Sequence, residues 1–169
     1  MKFILIDRIL SIEPPSRIVT RKNLTLAEEY LADHFPTFPV MPGVMMLEAM
    51  VQSAAWLVRA TQDFSKSMVV LEEAKNINYK SFVAPGRTLE VTAEAIEISE
   101  GLSQFKAFGM SDGQEMVKAR LTLRHYNLSE KNPALVDVDE KLVVAARRVF
   151  DLVGGPAATR TAAALAVGS

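Results

Sequence analysis

The sequence predicts an α+β fold in which a curved antiparallel sheet wraps a long buried central helix. Three observations carry that expectation. Residues 43–60 contain Val44, Met45, Met46, Leu47, Ala49, Met50, Val51, Ala54, Ala55, Trp56, Leu57 and Val58 and leave almost no polar face, the pattern of a helix buried all round. No stretch approaches the ~20 apolar residues of a membrane span, so protein must cover that helix. The segments that follow alternate apolar and polar residues with a period of two, the mark of half-buried strands.

In chain order, Phe3 to Ile12 is apolar and β-branched and stops at Pro14-Pro15, which reads as a strand. Residues 18–26 form a second strand, followed by a short polar helical piece ending near Ala32. From Asp33 to Gly43 the prolines Pro36, Pro39 and Pro42 forbid regular structure and predict a stiff, extended loop. Pro42 then stands near the first helical position, where its missing N–H costs nothing. Met68 to Leu71 is a short apolar run. Leu89, Val91 and Ala93 alternate with Glu90, Thr92 and Glu94, and the slip near Ala95-Ile96 predicts a bulge. Residues 102–110 form the next strand, Asp112-Gly113 a hairpin turn. Val117, Ala119, Leu121 and Leu123 alternate with Lys118, Arg120, Thr122 and Arg124 in the clearest strand of the chain. Past Asn132-Pro133, residues 137–153 suit an amphipathic helix with Leu142, Ala145, Val149 and Leu152 on one stripe, closed by Gly154-Gly155-Pro156. Residues 157–169 read as a weakly ordered end or a packing arm. The division expected is a domain over 1–130 and a helical, Ala-rich extension over 131–169.

Composition excludes several functions. The 19 basic and 20 acidic residues give a net charge of −1, with no electrostatic footprint for nucleic acid. The absence of cysteine rules out disulfides, zinc–thiolate sites and thiol nucleophiles. With only two histidines besides, no metal site is expected. Four apolar residues at Phe3–Ile6 are too few for a signal-peptide core, and a cytoplasmic location is expected.

Few side chains suit chemistry. Glu48 and Gln52 are polar residues of the apolar helix and, four apart, share one face. A carboxylate in such surroundings is costly unless paired or protonated, which suits a proton donor. His34 precedes the proline-stiffened loop and belongs to the residue type that trades protons near neutral pH. Gly43 opens the helix, where free backbone N–H groups can hold an oxyanion and a missing Cβ admits a substrate. Taken singly, each has a plainer alternative: a surface glutamate, a loop histidine bonded to a carbonyl, a turn glycine. His125, at a strand end, reads as surface or core edge without a role, and Met41, Met45, Met46 and Met50 as core or the lining of an acyl channel.

Read as one string, His34-Phe35-Pro36-x-x-Pro39-Val40-Met41-Pro42-Gly43-Val44-x-x-x-Glu48-Ala49-Met50-x-Gln52 closely resembles the signature of the β-hydroxyacyl-(acyl carrier protein) dehydratases of bacterial type II fatty acid synthesis. The resemblance is to the FabZ-like branch, with glutamate on the central helix. Leu5 to Ile9, Asn78-Tyr79-Lys80 and Ala84-Pro85-Gly86 extend it, so that it covers about residues 3–126. It implies the hot-dog fold and a catalytic pair of His34 and Glu48, supplied by different subunits of a homodimer or a trimer of dimers. It further implies a Gly43 amide that binds the thioester carbonyl, support from Gln52, Phe35 and Pro42, and no cofactor. The substrate is then carried on the phosphopantetheine of acyl carrier protein, for which Lys75, Lys80 and Arg87 are candidate contacts. Asp33 and Thr37 replace the glycines that usually flank His-Phe-Pro, and Phe82 a usual proline, which suggests a paralogue in a specialised lipid or polyketide pathway. The alternatives are a hot-dog acyl thioesterase and a catalytically silent acyl-thioester-binding subunit.

Overall fold

The computed structural model describes residues 3–35 and 37–159. Its elements are β1 (Arg8–Glu13), β2 (Arg17–Asn23), α1 (Tyr30–Asp33), α2 (Gly43–Thr61), β3 (Met68–Tyr79), β4 (Thr88–Ile98), β5 (Leu102–Ser111), β6 (Gln114–Tyr126) and α3 (Val136–Leu152), the last preceded by two short 3₁₀ turns. The strands form one sheet in the order β1-β2-β4-β5-β6-β3, and every neighbouring pair is antiparallel. α2 lies on the sheet, with Met46, Ala49, Met50, Ser53, Ala54, Leu57 and Val58 buried. The sheet answers with the inward residues of its alternating strands: Leu89, Val91, Ala93, Phe105, Ala107, Val117, Leu121 and Leu123. This is the hot-dog arrangement, α+β in class.

Local signals hold at several places. The bulge falls between Ala95 and Glu97. Asp112 (φ 49°) and Gly113 (φ 77°) both take left-handed backbone in the β5–β6 turn, as a two-residue hairpin requires. A polar pair under α2 is satisfied: Thr20 Oγ1 and Ser53 Oγ lie 2.7 Å apart, and Ser53 donates to the Ala49 carbonyl.

Other expectations are corrected. The first strand begins at Arg8, not Phe3. Leu5 and Ile6 are buried, but the Leu5 amide donates to Gln52 on α2 instead of to a neighbouring strand. The run at Met68–Leu71 extends to Tyr79. Its charged half lacks alternation because β3 is a sheet edge that stays largely exposed on both faces. α2 is not buried all round: Val44 is 66% exposed, and Leu47, Glu48, Gln52 and Trp56 are half-buried, because the described residues cover that flank only in part. His125, read as surface or core edge, is buried, with Nε2 2.9 Å from Ser103 Oγ.

α3 folds back onto the domain. The stripe it buries is rotated from the expected one: Asp139 and Phe150 are buried, Val143, Ala146 and Val149 pack on the core, and Leu152 is 79% exposed. Phe150 decides this rotation by wedging between Trp56 and Phe64, with ring centroids 5.7 and 5.4 Å away. At the helix start Asp139 accepts from the Ser67 hydroxyl and from the Leu128 and Ser129 amides. Burial opposes that charge, but these hydrogen bonds outweigh it and hold the carboxyl well below the usual carboxylate range. Near the other end Arg147 reaches the Asp63 carboxylate at 2.9 Å, and the Val153 carbonyl accepts from Ile9. Gly154 (φ 85°) closes the helix. Of the arm expected over 157–169, residues 160–169 lie outside the described residues.

Candidate active site

α2 positions Glu48 and Gln52 on its half-open flank, one turn apart, and the two side chains are bonded. Gln52 Nε2 donates to Glu48 Oε1 at 2.9 Å and to the Phe3 carbonyl at 3.0 Å, while Gln52 Oε1 accepts from the Leu5 amide at 2.9 Å. Because an amide side chain has both donor and acceptor ends, it orients the carboxylate and pins the N-terminal segment at once. Glu48 Oε2 has no hydrogen-bond partner among the described residues. The carboxylate lines a cavity of about 450 Å³ together with Phe3, Ile4, Trp56, Arg59 and Val149.

The helix start supplies donors. Pro42 (φ −56°, ψ 140°) is the cap, and its carbonyl accepts from Met45 and Met46 at 2.9 and 3.2 Å. The Gly43 and Val44 amides above it have no acceptor among the described residues, as the first N–H groups of a helix do not. A Cβ at Gly43 would lie 3.0 Å from Tyr79 Cε1 and 3.1 Å from Cδ1, so glycine is what allows the Tyr79 ring to sit over the helix start. Burial raises the Tyr79 phenol above its ordinary pKa.

His34 follows α1 as its cap, half-buried, with its ring 4.4 Å from that of Phe35. Phe35 takes left-handed backbone (φ 51°), an uncommon conformation for a bulky residue that tends to cluster where a loop is held for function. Phe35, Phe38 and Phe82 are 57–60% exposed, and the Phe38 and Phe82 rings meet edge to face with centroids 6.0 Å apart, so large apolar side chains at and beside the histidine loop stay open among the described residues. Within one chain the structure joins Glu48 to Gln52 but does not bring His34 to them: among the described residues no hydrogen bond or ring contact links His34 with Glu48, and neither His34 nor Gly43 lines the Glu48 cavity. Of the candidate carrier contacts, Lys80 pairs with Glu115, Lys75 with Glu73 and Arg87 with Asp112 on the surface.

Sequence reading did not single out Tyr79 or Arg59. Arg59 had a signal available, since Glu48, Gln52, Ala55 and Arg59 are spaced i, i+4, i+7, i+11 on one helical face. Tyr79 entered only within Asn78-Tyr79-Lys80 of the family resemblance, with nothing to set it against Gly43, to which the run of β3 brings it. Among the described residues no group of three or more His, Cys, Asp or Glu is placed to hold a metal ion, and no helix is long and apolar enough to cross a membrane.

Comparison with known proteins agrees with this fold. A 3-hydroxyacyl-[acyl-carrier-protein] dehydratase FabZ of Solibacter usitatus is 36% identical over 137 residues, which span 80% of this chain and 84% of that protein. The FabZ of Janthinobacterium sp. is 34% identical, over 78% of this chain and 86% of its own length. Among solved structures, the dehydratase heterocomplex ApeI:P from Xenorhabdus doucetiae superposes with a TM-score of 0.64 at 14% identity, covering 79% of this chain and 90% of that one. Streptococcus mutans smu.793 bound to acetyl CoA gives 0.58 at 16% identity, covering 75% and 93%. At such identities these two structures speak to the fold alone. Residues 1–120 match the family model of the FabA-like domain, and with relatives of this identity and span the chain belongs to the FabA-like family.

Proposed function

We propose that this chain removes water from a (3R)-hydroxyacyl thioester carried on acyl carrier protein, leaving the trans-2-enoyl thioester, in the cytoplasm and in fatty acid synthesis or a related lipid or polyketide route. The observation that carries the reading is Glu48: a carboxylate held by Gln52 through one oxygen, with the other free, beside an apolar cavity. Residues 1–130 form the catalytic unit, and 131–169 are appended to it.

In this reading His34 takes the proton from Cα, which the thioester acidifies. The electron pair moves toward the thioester carbonyl, whose developing oxyanion is met by the Gly43 amide at the positive end of α2. The C3–O bond then breaks, and Glu48 gives its proton to the departing hydroxyl, which leaves as water. Phe35 and Pro42 hold the loop and the helix start. No step calls on a metal or redox cofactor.

The pair needs a second protomer. β3 is a long edge with Leu71, Ile77 and Tyr79 partly exposed, and such an edge is a template for another strand. Pairing with a second copy there buries the exposed apolar residues around His34 and sets the histidine of one protomer toward Glu48 of the other. The homodimer is therefore the smallest active unit, and a trimer of dimers is compatible with it.

The test is dehydration of 3-hydroxyacyl carrier protein followed by enoyl absorbance, beside His34→Ala and Glu48→Gln. Each variant is expected to lose roughly 10²–10⁴-fold in rate, the usual contribution of one acid–base group. A folded, dimeric wild-type protein that dehydrates no chain length would overturn the reading in favour of a silent acyl-binding subunit.

A further inference from the structure

The cavity beside Glu48 has walls from both parts of the chain. Its floor is the α2 stripe that runs from Glu48 and Gln52 past Ala55 to Arg59, and its facing wall is Ala145, Ala146 and Val149 of α3. From Glu48 to Arg59 is eleven residues, about 16 Å along a helix axis. The two ends are polar and the space between them is apolar.

The far end is unusual. The Arg59 side chain makes no hydrogen bond or ion pair among the described residues, and its Nε is buried without an acceptor. Its guanidinium lies 5.4 Å from the centroid of the Trp56 ring. Burial lowers its pKa to about 10. A half-buried cation without an anion carries part of the cost of burying a charge, and the nearest catalytic carboxylate, Glu48, stands at the opposite end of the stripe. A methyl-terminated chain would leave that cost in place. A chain ending in a carboxylate would relieve it, and repulsion from Glu48 would set such a chain in one direction, with its acid at Arg59.

Taking Glu48 as the reacting end, as proposed above, we infer that this cavity receives the acyl tail of the substrate and selects tails that end in a carboxylate, with Arg59 on the α2 stripe binding the terminal acid and α3 closing the side of the channel. The 131–159 segment is then part of the specificity apparatus, because α3 supplies Ala145, Ala146 and Val149 to the channel's lining.

The single tryptophan of the chain, Trp56, lies in this cavity beneath Arg59 and reports binding without any need for turnover. The full-length protein is titrated by fluorescence with the pantetheine thioesters of 3-hydroxysebacic and 3-hydroxydecanoic acids, equal in length and different only at the far end. Dehydration of both is measured in parallel. The acid-ended thioester should bind about tenfold or more tightly, the worth of one hydrogen-bonded charge pair. Arg59→Met should erase the difference and Arg59→Lys, which keeps the charge, should retain part of it. Equal binding of the two thioesters, or a difference that survives Arg59→Met, overturns the inference even if both are dehydrated. A preference for the acid with no dehydration of either thioester strikes the dehydratase reading and leaves the Arg59 site standing.

Discussion

Replacing Gln52 by leucine tests the geometry of the site most directly. Three hydrogen bonds are lost. The one to Phe3 faces water and contributes little; the Leu5 amide bond is worth about 1 kcal/mol, and the bond to the Glu48 carboxylate about 2. The expected destabilisation is thus about 3 kcal/mol, a fall in Tm of roughly 6–12 °C for a chain of this size. The assay is thermal unfolding followed by circular dichroism, at equal protomer concentration because the Tm of any oligomer depends on it. The same variant should lose kcat more than it raises KM, since the loosened carboxylate misplaces a proton without removing a wall of the cavity. A Tm within about 2 °C of wild type, together with unchanged kcat, would refute the argument that Gln52 both anchors the N-terminal segment and orients Glu48.

Two further predictions follow from contacts described above. Because its folded pKa is depressed, Asp139 contributes to α3 docking fully above the ordinary carboxyl pKa of about 3.9, and that contribution is lost as pH falls through the lower folded value. The protection factors of the α3 amides, corrected for the intrinsic exchange rate, should fall on acidification below about pH 4 in wild type, and in Asp139→Asn they should be low already at neutral pH. Gly43→Ala puts a methyl 3.0 Å from the Tyr79 ring and should cost roughly tenfold to a hundredfold in kcat/KM, since small misplacements at the reacting centre are expensive. Adding Tyr79→Ala should restore part of that loss, and an additive double variant would show that the crowding is not the cause.

The central helix, the bulge, the β5–β6 turn and the β6 strand were legible because each rests on short-range rules: apolar periodicity, the backbone freedom of Asp-Gly, alternation on a half-buried sheet. His34, Glu48, Gly43 and Gln52 were proposed for a different reason, namely that they fall in one string of nineteen positions from 34 to 52. The β3 strand was half missed because an edge strand has no buried face to impose a pattern on its charged residues. The stripe of α3 was mistaken because Leu152 and Ala145 fit the helical period as well as Val143 and Ala146 do, and only the slot between Trp56 and Phe64 selects Phe150.

By itself, then, the sequence determined the secondary structure around α2 and the class of fold, and it supplied the candidate proton-trading side chains, all of which depend on residues near one another in the chain. Tertiary structure alone decided that Gln52 also holds the N-terminal segment, that Tyr79 covers Gly43, that α3 lines the Glu48 cavity and that Arg59 stands at its far end with no ion-pair partner among the described residues. Those contacts join residues tens of positions apart, and whether two such side chains meet is settled by how the sheet curves and where each helix finds room to pack.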